Sequence, residues 1–357
     1  MKTYNKFLIK IYLTSFANTF LIFFSLIFLL NLLTELEFFK DIEVNSFFPL
    51  YLSLINTPMF VFEMFPFIIL LSTQLFFNNL FNNNEMNVFK YSGLKNSKIF
   101  SILTLTTFLI GMFIIIFFYN LSSNLKNLYL GLKSNYTTDD KYLAVITNNG
   151  LWIKDVKDEK TLFINAASID QNLLLNAFIS EFDNNYELVR NIKSQKIDIS
   201  KKEWVIENAE VYIQNSKEIF KDLNIKTNFD YGIIQNLFSN MSSLSILELI
   251  EMRKNYKNLN YSLTDIDLQL SKLLSFPFYF ILMFIFSGII MMNTKQFKSK
   301  NLKIMVGLFL SVLIYYVNNF FYALGTSEKI GIISSVFVPL LFFTLVNIIF
   351  LRDLNAK

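Results

Sequence analysis

The sequence predicts a polytopic α-helical membrane protein: six transmembrane helices, split three and three around an inserted all-β periplasmic domain, jelly-roll-like. Three observations carry this. Hydrophobic residues make up 53% of the 357-residue chain and mean hydropathy is +0.42, too apolar for an ordinary soluble globule. The apolar residues fall in six blocks, each long enough for a hydrocarbon core about 30 Å thick, which takes roughly 20 helical residues. Between the third and fourth blocks, Ser122 to Leu270 holds 20 Asp/Glu and 17 Lys/Arg and no window that could span.

The blocks are Phe7–Leu33, Leu54–Phe81, Ile99–Leu121, Leu273–Met292, Ile304–Leu324 and Ile330–Leu351. The first is long for a bilayer, which predicts a tilt. It is also too long for a signal peptide and no small-x-small cleavage site follows, so a retained span is expected. The second contains Pro58 and Pro66, which a membrane helix tolerates when neighbours re-satisfy the backbone. The chain thus divides into 1–121, a first triplet with a short cytoplasmic helix at 82–95; 122–270, the β domain with flanking helices; and 271–357, a second triplet.

Lys and Arg near helix ends mark the cytoplasmic side. Lys2, Lys6, Lys10, Lys90, Lys95, Lys98, Lys295, Lys298, Lys300, Lys303, Arg352 and Lys357 fall on one side, with only Glu85 and Asp353 against them. The opposite short loops hold Lys40 and Lys329 against Glu35, Glu37, Asp41, Glu43 and Glu328. Both termini are therefore expected in the cytoplasm. The large domain lies outside it, in the periplasm of a bacterium with two membranes.

After a helical continuation to Tyr136 the pattern changes to period two with turn signals. Strands are expected at Tyr142–Thr147 and Leu151–Lys154, joined by the Asn148-Asn149-Gly150 turn. Others are expected at Thr161–Ile169, Leu173–Phe182, Tyr186–Ile192, Gln195–Ile199, Glu203–Ile206 and Glu210–Gln214. About eight short strands at this spacing predict an antiparallel sandwich, jelly roll or open barrel. An amphipathic helix, Ser245–Tyr256, leads through Leu263–Leu270 into the fourth span. Open sheet edges of such a domain are liabilities, or sites where a partner strand adds.

The chain has no Cys and no His. That removes disulfides, thiol catalysis, the usual zinc and haem ligands and the usual general base near pH 7. None of the nine glycines sits in a P-loop, and neither G-x-S-x-G nor H-E-x-x-H occurs. No catalytic, metal or nucleic-acid site is expected, and energy for work on a substrate must come from a partner or a gradient. The 42 phenylalanines reflect an AT-rich genome, so single aromatics carry little weight. Glu63, between Pro58 and Pro66, is the one carboxylate well inside an apolar run. Such a residue is a functional candidate. The competing reading puts it about nine residues from the outer end, with its side chain reaching water. No second charge is expected within the spans, which argues against a proton relay.

The stretch from Asn82 to Lys95 is too polar to span. Asn84 can cap a helix and Glu85 suits a first turn. Met86, Val88, Phe89 and Tyr91 supply an apolar side, and Gly93 ends it. The residues alone allow an interfacial helix lying on lipid, or a coupling helix docked in a groove of a cytoplasmic ATPase.

Four stretches carry a family resemblance. Glu85–Leu94 is an acidic-led segment ending in a Gly after a small residue, and Phe65–Leu71 is a Pro-led second helix. Gly150–Asp155 opens a β domain, and Ser245–Ile250 starts a helix before the fourth span. With the three–domain–three layout, these resemble the LptF/LptG permeases of lipopolysaccharide export, also called the YjgP/YjgQ family, over nearly the whole chain. The β-domain opening is more like the LptG branch.

The resemblance implies a non-catalytic permease subunit without a cofactor of its own. It implies a paralogous permease beside it, a cytoplasmic ATPase dimer that uses ATP and Mg2+, periplasmic bridge proteins, and lipopolysaccharide or a related glycolipid as cargo. Glu85, Met86, Val88, Phe89 and Gly93 would then couple to the ATPase. Family members of the G type carry basic residues at the outer end of the first helix, and often after the first proline of the second, which meet lipid A phosphates. Here Asn31 to Lys40 contains Glu35 and Glu37 and only one basic residue, Lys40, and Met59 follows Pro58. Lys126 and Lys133 are the candidate replacements. The expected lumen residues are therefore Asn31, Glu35, Lys40, Met59, Lys126 and Lys133. Carboxylates there would repel phosphate, so the cargo carries fewer phosphates, divalent cations bridge, or the paired subunit supplies positive charge. The alternatives are a permease of another lipid-handling ABC system, or a non-transporting membrane sensor or assembly factor.

Overall fold

The computed structural model describes residues 3–136, 151–157, 160–170, 172–213, 216–237, 240–258, 261–292 and 299–355. The expected strand at Tyr142–Thr147, its Asn148-Asn149-Gly150 turn, Lys2, Lys295, Lys298 and Lys357 lie outside them. In chain order the elements are α1 (Thr3–Phe38), α2 (Phe47–Asn82), α3 (Glu85–Tyr91), α4 (Asn96–Phe113), a π turn (Ile114–Tyr119), α5 (Asn120–Ser134), β1 (Leu151–Lys157), β2 (Lys160–Asp170), β3 (Leu173–Phe182), β4 (Leu188–Asp198), β5 (Glu203–Ile213), β6 (Ser216–Lys226), α6 (Tyr231–Leu237), a 3-10 turn (Met241–Ser243), α7 (Ile246–Asn258), α8 (Thr264–Met292), α9 (Lys300–Thr326) and α10 (Ile332–Asn355). They form two compact units, Met1–Lys126 with Thr264–Lys357, and Asn127–Leu263.

In the first unit, six helices are long and apolar enough to cross a membrane, and they coincide with the six apolar blocks. Most run further than their blocks because flanking Lys, Asn and Thr continue a helix while their polar ends reach outward. Pro58 and Pro66 sit inside α2 without ending it and are both buried, so the backbone they disturb is sheltered by protein. Gly111 permits a close approach: a Cβ there would come within 3.0 Å of the Pro277 backbone on α8. The π turn begins three residues later. The centre is aromatic, with Tyr12, Phe65, Phe76, Phe77, Phe280 and Phe284 fully enclosed. A few polar bonds tie spans together, including Ser287 Oγ to the Leu70 carbonyl at 2.8 Å and Tyr12 Oη with Thr107 Oγ1 at 3.0 Å.

The second unit contains one antiparallel sheet whose six strands lie in sequential order, β1 to β6. Alternation along β1 and β5 sends Ile153, Trp204 and Ile206 inward. One core draws residues from both edge strands, Leu151 on β1 and Ile225 on β6, so the sheet curls on itself. Trp204 is fully buried and its indole N–H donates to the Phe229 carbonyl at 2.8 Å. Buried Glu181 on β3 accepts from Arg190 on β4 and pairs with Lys160 on β2, each at 2.6 Å.

Here the strand expectations need correction. Tyr186–Ile192 with Gln195–Ile199 is one strand, β4, and Glu203–Ile206 with Glu210–Gln214 is one strand, β5. The polar residues taken as breaks are spanned by the ladder: pairing skips from Lys193↔Glu210 to Lys196↔Glu207. Ser194 Oγ donates to the Glu207 carbonyl there, and Asn208 takes a left-handed φ of 49°. Asn176 on β3, next to the Ala177↔Ser194 pair, has the same φ of 49°. Equal numbers of residues are skipped on each strand, so the register is kept across the interruption and each ladder runs on as one strand. β6 was not expected, because its near-complete exposure gives an edge strand no period-two apolar signal. The helix expected at Ser245–Tyr256 is α7. Its start is a capping box, with Glu248 Oε2 accepting from both the backbone N–H and hydroxyl of Ser245 at 2.7 Å.

Candidate functional site

The helix α3 lies between the second and third spans. Glu85 occupies its first turn, and Asn83 Nδ2 approaches Glu85 Oε1 at 3.5 Å. Glu85 Oε2 is buried without a hydrogen-bond partner. Asn84 adopts φ 58° and makes no side-chain cap, which corrects the capping expectation: the left-handed backbone turns the chain instead. Gly93, with φ 78°, does end the segment. Its N–H meets the Lys90 carbonyl and that of Leu94 meets Phe89, the paired bonds of a Schellman motif. The apolar side splits in two. Met86 is buried and Phe89 packs edge-on to Phe7 of α1, with ring centroids 6.1 Å apart. Val88 is 63% and Tyr91 91% exposed. Two residues hold the helix to the bundle and two face outward.

The expected lumen residues fall into two groups. Asn31 Nδ2 donates to Thr57 Oγ1 at 3.2 Å, and Lys126 Nζ to Asn56 Oδ1 at 2.9 Å. Lys126 also lies 5.2 Å from the centre of the Phe60 ring. Asn31 and Lys126 therefore converge on one turn of α2, and buried Met59 is on that turn. Glu35, one turn along α1 from Asn31, is only 2% exposed, whereas Lys40 is exposed. Lys133 belongs to the sheet-bearing unit, where it is buried and donates to Tyr129 Oη at 2.9 Å. Asn56 and Thr57 were missed because uncharged polar residues in an apolar helix leave no trace in a charge count.

Glu63 lines a cavity of about 300 Å³ bounded by α2, α8, α9 and α10. Lys272 lines it too. The expectation of no second charge within the spans is thus corrected: α8 begins at Thr264, nine residues before its apolar block, and takes Lys272 into the helix. Among the described residues no group of acidic side chains could hold a metal ion.

Six spanning helices, three on either side of an inserted antiparallel sheet, define a multi-pass membrane protein with one large extramembranous domain. The family model described as lipopolysaccharide export system permease LptF/LptG matches residues 6–353, and the chain belongs to this family of inner-membrane permeases. That match does not separate the two branches. No curated protein matches the chain.

Proposed function

We propose that this protein is the permease subunit of an ATP-driven complex that draws lipopolysaccharide, or a related glycolipid, from the inner membrane and hands it to a periplasmic bridge. One observation carries the reading: α3 is anchored by Met86 and Phe89 while Val88 and Tyr91 face outward, in a chain without a P-loop. A short helix with an apolar outer side and a carboxylate in its first turn suits a groove on a cytoplasmic ATPase dimer that carries ATP and Mg2+. The excess of Lys and Arg at one set of helix ends supports a cytoplasmic α3 and cytoplasmic termini, with the sheet in the periplasm. There β6, an edge strand among the described residues, suits the addition of strands from bridge proteins. The exposed apolar faces of α1 and α9 leave room for a paralogous permease. The likeness of the Gly150–Asp155 sequence to the LptG branch favours the G type.

The lumen reading is adjusted by geometry. Lys126, held by Asn56, is the cation beside Asn31 and Met59. Glu85→Lys tests the coupling: the chain should insert normally, while export and ATPase co-purification fall by tenfold or more. Unchanged export and co-purification would remove Glu85 and α3 from the mechanism.

A further inference from the structure

The cavity walled by Glu63, Lys272, Tyr279, Asn318, Tyr322 and Ser335 joins opposite charges that do not satisfy one another. Among the described residues no ion pair within 4.0 Å links Glu63 to Lys272. The Lys272 ammonium instead lies 5.1 Å from the centre of the Tyr322 ring and 5.8 Å from that of Phe276. Tyr279 is 6% exposed, and its buried hydroxyl, with Asn318 a loose neighbour, makes no hydrogen bond of good geometry. A buried orphan hydroxyl costs stability unless something fills the site. Carboxylate, ammonium and orphan hydroxyl in one cavity complement a ligand with a positive and a negative end.

Size and depth narrow the ligand. About 300 Å³ is the lower limit of ordinary ligand pockets, enough for a headgroup and too small for a saccharide core. Tyr322 is four residues from the end of α9 and Ser335 three from the start of α10, so both lie within about 6 Å of helix ends, at headgroup level. A primary ammonium donates hydrogen bonds and suits Glu63, while phosphate suits Lys272 and the tyrosine and asparagine donors. We infer that this cavity binds the headgroup of phosphatidylethanolamine, with the ammonium on Glu63 and the phosphate on Lys272 and Tyr279. The site needs only that the helices cross a bilayer, and stands apart from the ATPase reading.

The test is native mass spectrometry of the full-length protein, with whatever subunits accompany it, released from bilayers of equal parts phosphatidylethanolamine, phosphatidylcholine and phosphatidylglycerol. The wild type should retain phosphatidylethanolamine about tenfold over the other two, the scale of one charge-assisted hydrogen bond. Glu63→Gln should abolish that preference while leaving phosphatidylglycerol retention unchanged. Lys272→Met should lower retention of phosphatidylethanolamine and phosphatidylglycerol alike. Tyr279→Phe removes only the orphan hydroxyl, so it should weaken phosphatidylethanolamine retention without lowering thermal stability in lipid-free detergent. Equal retention of the three lipids by the wild type, or no change in Glu63→Gln and Tyr279→Phe, would overturn the inference. Free phosphoethanolamine carries the same charged groups. Its retention in a detergent-only arm would move the assignment from a lipid to a soluble compound and overturn it equally.

Discussion

Helices α8 and α1 have the same mean hydropathy, and so do α2 and α9, yet their surroundings are opposite. In the most apolar stretch of α2 and of α8, 72% of residues are buried, against 6% in α1 and 11% in α9. In lipid the apolar side chain has no reason to prefer protein over acyl chain, so hydropathy reports membrane and says nothing of neighbours. What differs is the distribution of small and polar residues. α2 buries Ser53, Asn56, Thr57, Ser72, Thr73 and Gln74, and α8 buries Ser275, Ser287 and Gly288. Even the exposed helices follow the rule: α9 buries only Lys303, Gly307, Ser311 and Gly325, and α1 buries Ser15, Thr19 and Glu35 beside Leu8 and Tyr12.

The largest expected effect separates the two pairs directly. Phe65→Ala or Phe280→Ala, at fully enclosed positions of α2 and α8, should lower unfolding free energy by about 3–5 kcal/mol. Leu33→Ala on α1 or Phe309→Ala on α9, at exposed positions, should stay within about 0.5 kcal/mol. Denaturant unfolding in detergent measures both, and equal losses would break the comparison. If α1 and α9 face a second permease, the same two exposed variants should weaken its co-purification. A smaller effect, about 1–3 kcal/mol, is expected for Gly111→Leu, whose side chain must push the Pro277 backbone away.

The smallest effect lies in the other unit and tests its polar anchoring. Burial alone would raise the Glu181 pKa, but the hydrogen bonds and charges of Lys160 and Arg190 outweigh it and hold the carboxyl below its ordinary 4.5. A depressed folded pKa contributes stability that is complete above the unfolded value and lost as pH falls through the folded one. Thermal stability of the wild type should therefore drop as pH is lowered below about 4.5, and Glu181→Gln should reduce that slope. An unchanged slope would mean that other carboxylates govern acid sensitivity.

Much of this was legible in the residues. The six spans, the inserted antiparallel domain, α3 and its Gly93 stop all follow from length, charge and turn chemistry. Strand boundaries were less so, because Ser194 and Asn208 carry the chemistry of turns but sit inside ladders whose register is held by pairs on either side of them. Lys272 was missed because an apolar block marks where a span must begin, not where its helix does. Which side of α3 faces the bundle was equally hidden: Met86, Phe89, Val88 and Tyr91 are all apolar or aromatic, and only the position of Phe7 decides among them.

The central claim, that α3 is where a motor attaches, is tested most directly by a photo-crosslinking amino acid at position 91 in living cells, since Tyr91 of α3 is 91% exposed. The account predicts a dominant adduct with a cytoplasmic ATPase, lost when Glu85→Lys is added. Adducts with lipid alone, unaffected by Glu85→Lys, would make α3 an interfacial helix and contradict it.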